Sequence, residues 1–250
     1  MQLIPAIDLK DGRCVRLYQG DFNAQTVYAD NPLEVFDRYL AFGAQRVHLV
    51  DLDGAKDGSQ RNLPIIRTLA ERHAAALQVG GGLRTLQRVQ DVLAAGAQRA
   101  VVGSVAVTTP NDVIAWGISA DFDRIVLAFD VRLDAHNIPW LTTHGWQKQS
   151  ATSLWDAVEH FAAQGFRHVL CTDIARDGAL TGPNLSLYNE AVRRFPQMQW
   201  QASGGVSSAA DLRALAESGV AAVISGRALL ENKISSEDLQ PFLPNASSPA

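Results

Sequence analysis

Only two cysteines occur in the 250 residues, Cys14 and Cys171, and they are far apart in apolar surroundings with no CxxC pair. That excludes a disulfide framework and a zinc ribbon, and makes a reduced, cytoplasmic setting the expectation. No window approaches 18 uninterrupted apolar residues, so no membrane span is expected. The opening MQLIPAID has no basic segment ahead of a long apolar stretch and does not read as a secretion signal. Basic charge is also scarce: the formal net charge is -4, which argues against nucleic acid as a partner, since backbone phosphates need a basic stripe. A small anion needs only a few backbone amides and an arginine, so it stays open. No GxGxxG, Walker-type loop or metal-ligand spacing appears, and neither a metal nor a nucleotide cofactor is expected.

What is there is a 47% apolar chain with short apolar runs alternating with helical patterns. The runs at Leu3–Asp8, Arg46–Asp51, Ala76–Val79, Arg99–Val102, Arg124–Asp130, Arg167–Thr172, Met198–Ala202 and Ala221–Ser225 read as strands. Their near-continuous apolarity fits parallel strands covered on both faces, and nearly all are separated by a helix-sized segment. Helix starts are marked by Asn31-Pro32-Leu33-Glu34, by Thr109-Pro110, and by the capping spacings Ser153/Asp156 and Ser208/Asp211. Leu33, Phe36 and Leu40 recur on one helical face, closed by Gly43. The length suits one (β/α)8 TIM barrel over residues 1–245, with 246–250 as a frayed tail. An open doubly wound sheet is the competing architecture.

A repeat weighs against the open sheet. Asp8 and Asp130, Gly43 and Gly165, Val47 and Val169, Asp51 and Asp173, and Asn62 and Asn184 all lie 122 positions apart. Later the offset becomes 123, linking Gly81-Gly82 with Gly204-Gly205 and Gly103 with Gly226. Two similar (β/α)4 halves, each leaving a sheet edge that the other covers, make a closed barrel with a two-fold internal repeat.

In such a barrel the working residues lie at the C-terminal ends of the strands. Asp8 and Asp130 end the first and fifth strands, which face each other, so one can donate a proton while the other removes one. Each aspartate read singly also fits a helix cap or a partner of Arg13 or Arg132. Gly81-Gly82, Gly103-Ser104, Gly204-Gly205 and Gly226-Arg227 follow strands three, four, seven and eight. Phosphate sites recur after strands seven and eight of this fold, so a second copy after three and four points to a ligand with two phosphates. Thr172, Asp177 and Gly178 follow the sixth strand. Asp177 either joins the site or holds a polar turn, for which Asp-Gly is also standard. The long segment from Val131 to Thr152, with Trp140, His144 and Trp146, is either a lid or a hairpin packing its own aromatics. His48 reads as a satisfied core histidine, and His73, His160 and His168 as surface or packing residues.

The segments IPAIDLKDGRCVRLYQGD, HLVDLDGAKDG, QVGGGLRT, VVGS, LAFDVR, GWQ, LCTDIARDGALTGPN, ASGGV and ISGRALLE occur in this order along the chain. They resemble the family of phosphoribosylformimino-5-aminoimidazole carboxamide ribotide isomerases of histidine biosynthesis over essentially its whole length. The resemblance implies a cofactor-independent Amadori rearrangement of an aminoaldose with two phosphates, carried out by a cytoplasmic monomer. It maps the base to Asp8 and the acid to Asp130, with Asp177 as a rival acid and Thr172 assisting. Gly82, Gly103, Ser104, Gly205, Gly226 and Arg227 map to the phosphates, with Gly81, Gly178 and Gly204 beside them, and Arg16, Arg84 and Trp146 to substrate positioning. The homologous cyclase subunit of imidazole glycerol phosphate synthase shares both aspartates, but it typically shows CLD and VVKG. This chain has Ala6-Ile7-Asp8 and Cys14-Val15-Arg16-Leu17 at those places. The same features also fit a bifunctional isomerase that accepts phosphoribosyl anthranilate as well, or a non-catalytic phosphate-binding barrel subunit.

Overall fold

The computed structural model describes residues 1–18, 21–72, 77–143 and 145–243; His73, Ala76, His144 and the tail at 246–250 lie outside them. The chain opens with β1 (Gln2–Lys10), which turns back into β2 (Arg13–Tyr18) and β3 (Asp21–Ala29) before α1 (Pro32–Ala41). Next come β4 (Val47–Asp51), α2 (Leu52–Asp57), α3 (Leu63–Arg72), β5 (Leu77–Gly80), α4 (Leu86–Ala94) and β6 (Arg99–Val102). Two helices, α5 (Ser104–Thr108) and α6 (Pro110–Ala120), lead to β7 (Ile125–Leu133), which again turns back, into β8 (Pro139–Thr143) and β9 (Lys148–Ser153). The remainder runs α7 (Leu154–Ala162), β10 (His168–Asp173), α8 (Leu185–Arg194), β11 (Gln199–Ser203), α9 (Ala209–Glu217), β12 (Ala222–Ser225), α10 (Arg227–Leu230) and α11 (Ser236–Leu239).

Strands β1, β4, β5, β6, β7, β10, β11 and β12 pair in parallel in that order, and β12 pairs with β1 again. This closes an eight-stranded barrel and rules out the open sheet. All eight expected strands are present with ends displaced by at most three residues. Two antiparallel hairpins, β2–β3 and β8–β9, are each hung on the end of a matched barrel strand; the first is not expected from the sequence, and the second is one of the two readings of the segment after the fifth barrel strand. The segment after β7 is therefore a hairpin, with Trp140 Nε1 donating to Asp134 Oδ2 at 2.9 Å.

The expected caps form: Asn31 accepts from Leu33 N, and Ser153/Asp156 and Ser208/Asp211 are complete capping boxes. The buried face of α1 is Pro32, Val35, Phe36 and Tyr39, so the expected stripe is turned: Leu33 and Leu40 are only partly buried. Two apolar layers result. One lies between strands and helices; the other fills the barrel with Ile4, Ala6, Val101, Val126, Leu170, Ala222 and Ile224.

The interior also holds three buried polar side chains. Gln78 Nε2 donates to Gln201 Oε1 at 2.8 Å and lies 3.1 Å from His48 Nδ1. The His48 imidazole, buried, is pushed down to about 4 and so stays neutral. Gln78 and Gln201 are another repeat pair, from facing strands.

Matched residues do matched work outside the barrel wall. Asn62 Nδ2 donates to Asp51 Oδ1 at 2.7 Å, and Asn184 Nδ2 donates to Asp173 Oδ2 at 2.8 Å. The carboxylates in turn accept from Gly54 N and Ala175 N, each at 3.0 Å, and so pin the start of α2 after β4 and the turn after β10. Buried charges held this way are satisfied rather than strained.

Candidate active site

Asp8 sits near the end of β1, 7% exposed. The return strand β2 sets Val15 opposite Asp8, and brings the next residue, Arg16, to it. Arg16 Nη1 donates to Asp8 Oδ2 at 3.3 Å and Nη2 donates to Asp177 Oδ2 at 2.5 Å. Burial raises the Asp8 carboxyl; the Arg16 charge opposes that rise and the Asp177 charge adds to it. Burial also works against the guanidinium, but Asp8 and Asp177 outweigh it and hold Arg16 protonated.

Asp130 occupies the equivalent place in β7 and is half-buried. Its partners are neutral. Trp146 Nε1 donates to Asp130 Oδ2 at 2.9 Å, and Thr172, in register with Asp130 on β10, hydrogen-bonds its carboxylate. Burial raises this carboxyl too, the two donors pull it back, and Asp177 raises it. The Trp146 backbone has φ of 71°, beside Gly145 at 63°. A bulky residue there is strained by about 1–3 kcal/mol, and the geometry points its indole at the carboxylate.

Asp177 lies in the turn after β10, where its N–H donates to Asp173 O at 3.1 Å. It holds a turn and also joins the site: through Arg16 it touches the Asp8 side, and its charge reaches Asp130. Gly178 follows in the same turn at φ 68°, and its carbonyl accepts from Arg227 Nη1 at 2.7 Å. Arg227 Nε donates to Glu231 Oε1 at 2.7 Å, and Tyr28 Oη donates to the same oxygen at 3.1 Å. Glu231 and Tyr28 escaped the sequence reading, although Arg227 and Glu231 stand at helical i,i+4 spacing.

The glycine turns are matched as well. A Cβ on Gly82 would collide with the Gly54 carbonyl, and one on Gly205 with the Gly182 carbonyl. Gly81 similarly admits Asp51 backbone, and a Cβ on Gly204 would stand 3.0 Å from Asp173 O. These pairs thus let neighbouring loops meet. Gly103 and Gly226 stand at the N-caps of α5 and α10 with no side-chain cap, leaving first-turn N–H groups without that partner. Ser104 is exposed in the first turn of α5. Arg84 is also exposed; its Nη2 donates to Ala55 O at 2.5 Å, tying it to α2 rather than to any of the carboxylates. The site residues therefore form two clusters, Asp8–Arg16–Asp177–Gly178–Arg227 and Asp130–Thr172–Trp146, with the turns bearing Gly81, Gly82, Gly103 and Ser104 on the other half of the rim. Among the described residues, no group of three or more His, Cys, Asp or Glu is arranged to hold a metal ion, and no helix is long and apolar enough to cross a membrane.

A closed (β/α)8 barrel with carboxylates at the C-terminal ends of two facing strands has the layout of the barrel enzymes, whose sites lie at that rim. Residues 2–235 match the family described as histidine biosynthesis protein, and the chain belongs to that family. It is 50% identical over 231 residues to a protein of Tolumonas auensis, covering 92% of this chain and 94% of that one. A Psychromonas ingrahamii relative is 49% identical with 92% and 94% covered, and one of Pasteurella multocida is 47% identical with 98% of each covered. All three are named 1-(5-phosphoribosyl)-5-((5-phosphoribosylamino)methylideneamino)imidazole-4-carboxamide isomerase. The chain is an isomerase of histidine biosynthesis.

Proposed function

We propose that the substrate is the one its relatives are named for, an aminoaldose ribonucleotide with a phosphate at each end, and that the reaction is an Amadori rearrangement. The observation that carries this reading is the pair Asp8 and Asp130: equivalent in position, both raised by burial, and held by chemically different partners. Asp130, as the acid, gives its proton to the ribose ring oxygen; the C1–O bond breaks and the nitrogen lone pair forms the Schiff base. Asp8, as the base, takes the proton from C2. The freed electron pair forms the C1–C2 double bond and neutralises the nitrogen. The resulting enolamine loses its C2 hydroxyl proton, gains one at C1, and becomes the aminoketose.

Arg16 suits Asp8 to this role because a fixed positive charge favours the ionised form that a base needs. Asp130 keeps a carboxyl raised by burial and without a cation beside it, which favours the protonated form that an acid needs. Asp177 raises both, and in holding Arg16 it positions the base; Thr172 orients the acid. The uncapped first turns at Gly103-Ser104 and Gly226-Arg227, beside Gly81-Gly82 and Gly204-Gly205, suit the two phosphates. Arg84 and Trp146 are assigned to holding the substrate, Trp146 from beside Asp130 and Arg84 from two residues after Gly82. The enzyme acts as a cytoplasmic monomer without cofactor. The assay is direct: the purified chain, stripped of metal by chelation, converts the aminoaldose to the aminoketose, and Asp8→Asn binds it without conversion. Ammonia-dependent cyclisation of the product, or binding with no turnover by the unaltered chain, would overturn the reading.

A further inference from the structure

The opposite mouth of the barrel, at the N-terminal ends of the strands, carries an open cleft of about 700 Å3 lined by Arg99, Asp123, Arg167, His168, Gln197 and Gln199 among others. Strand alternation puts charge there. Val101 and Leu170 fill the barrel interior, so Arg99 and His168, two residues earlier on the same strands, share that inward face at its lower rim. Arg46 stands two residues before the interior His48 and, by the repeat, is the counterpart of His168.

The cations are poorly balanced. Arg99 makes no side-chain hydrogen bond among the described residues and has the Asp123 carboxylate as its one countercharge, and the exposed Arg167 makes no hydrogen bond or close ion pair there. Asp123 is the carboxylate nearest to His168, 3.8 Å from Nε2, and its own side chain is 61% exposed. Burial and the Arg99 charge push the His168 imidazole down to about 4, and burial and Arg99 push Arg46 down to about 10. His168 is 7% exposed, and its buried Nδ1 has no partner; nor does the buried Arg46 Nε. A buried polar atom left without a partner costs about 1–3 kcal/mol, which a bound ligand atom would relieve. The volume falls within the roughly 300–1,000 Å3 of small-molecule sites.

We propose that this cleft is a second anion site, at the end of the barrel away from Asp8 and Asp130, that takes a phosphate-ester small molecule. Arg99 and Arg167 bind the phosphate oxygens, His168 donates an imidazole N–H, and Gln197 and Gln199 offer amides to the rest of the ligand. The site is independent of the reaction assigned above and holds a ligand whether or not that assignment stands.

The test uses imidazole-ring NMR of the full chain with pyrophosphate as the probe, the His168 signals being identified by their loss in His168→Asn. The rim near Asp8 also offers phosphate positions, but His168 reports on this end alone. The expected result is a saturable His168 shift with half-saturation below about 1 mM. It weakens by about tenfold or more in Arg99→Gln and in the exposed-site variant Arg167→Gln, and it persists in Arg227→Gln. A His168 signal that pyrophosphate does not move, or that moves equally in Arg167→Gln, overturns the proposal.

Discussion

In the first half of the barrel Asp8 faces a guanidinium; in the second, Asp130 at the equivalent position accepts from an indole and a hydroxyl. The source of the contrast is local. Both strands continue into a hairpin, but β2 delivers Arg16 whereas the β8–β9 turn delivers Trp146. Thr172 has Val50 as its counterpart, and Asp177 has Ala55, so the second half alone supplies the hydroxyl and the third carboxylate. The residues that shape loops, by contrast, are duplicated: Asp51 and Asp173, Asn62 and Asn184, and the glycine pairs. The scaffold is thus two-fold while the surroundings of its two aspartates are not, and different surroundings are what sets two carboxyls of one residue type apart in acidity.

Removing either carboxylate has the largest effect expected. Asp8→Asn and Asp130→Asn each lower kcat/KM by about 10²–10⁴-fold, read by steady-state kinetics on folded protein. A loss at one position with full activity at the other would leave the halves without paired roles.

The interior gives the next largest contrast. His48 in the first half matches Leu170 in the second. Because the buried His48 imidazole is held to about 4, against 6.5 when free, the unfolded chain takes up its proton first. The stability it contributes is complete above pH 6.5 and is lost as pH falls toward 4, by about 3 kcal/mol. Asp8 and Asp130, raised by burial, act in the other direction, so the informative quantity is the difference between the chain and His48→Leu in chemical melts over pH 4–7. A constant difference would contradict the neutral, buried imidazole.

A smaller effect is expected at the two asparagines. Asn62 Nδ2 serves Asp51 and also Asp53 Oδ2 at 2.8 Å, whereas Asn184 Nδ2 serves Asp173 and its Oδ1 caps α8, accepting from Leu187 N at 3.2 Å and Ser186 Oγ at 2.8 Å. Asn62→Ala and Asn184→Ala should each cost about 2–3 kcal/mol in urea melts, the first by taking one donor from two buried carboxylates and the second by losing a donor and a helix cap. A loss below about 0.5 kcal/mol at either position would show that its hydrogen bonds add nothing to the fold.

Much of this was legible in the sequence. Apolar runs and repeat offsets give eight strands, closure and the Asp8/Asp130 pairing, because strands buried on both faces need continuous apolar residues and a duplicated half keeps its loop-pinning residues. The β2–β3 hairpin is hidden in the sequence and the β8–β9 hairpin legible only as an alternative to a lid: β3 has exposed positions along Ala24–Val27, and β9 runs mostly exposed or half-buried, so neither has the apolar run that marks the barrel strands. The ion pair of Arg16 with Asp177 spans 161 positions and no spacing rule reaches that far. The substrate role of Arg84 comes from resemblance alone, and its contact with the Ala55 carbonyl is one that no sequence spacing predicts. The glycine pairs were read as room for phosphate; their closest neighbours are protein carbonyls, a packing need that composition cannot distinguish from ligand approach.

The most direct measurement is the pH dependence of kcat/KM for Arg16→Gln and Trp146→Phe beside the unaltered chain. Loss of the guanidinium raises the Asp8 carboxyl, so Arg16→Gln should move only the acidic limb, upward in pH. Loss of the indole donor raises Asp130, so Trp146→Phe should move only the basic limb, also upward. Both limbs moving together in either variant, or the two variants moving the same limb, would contradict the separate assignment of base and acid.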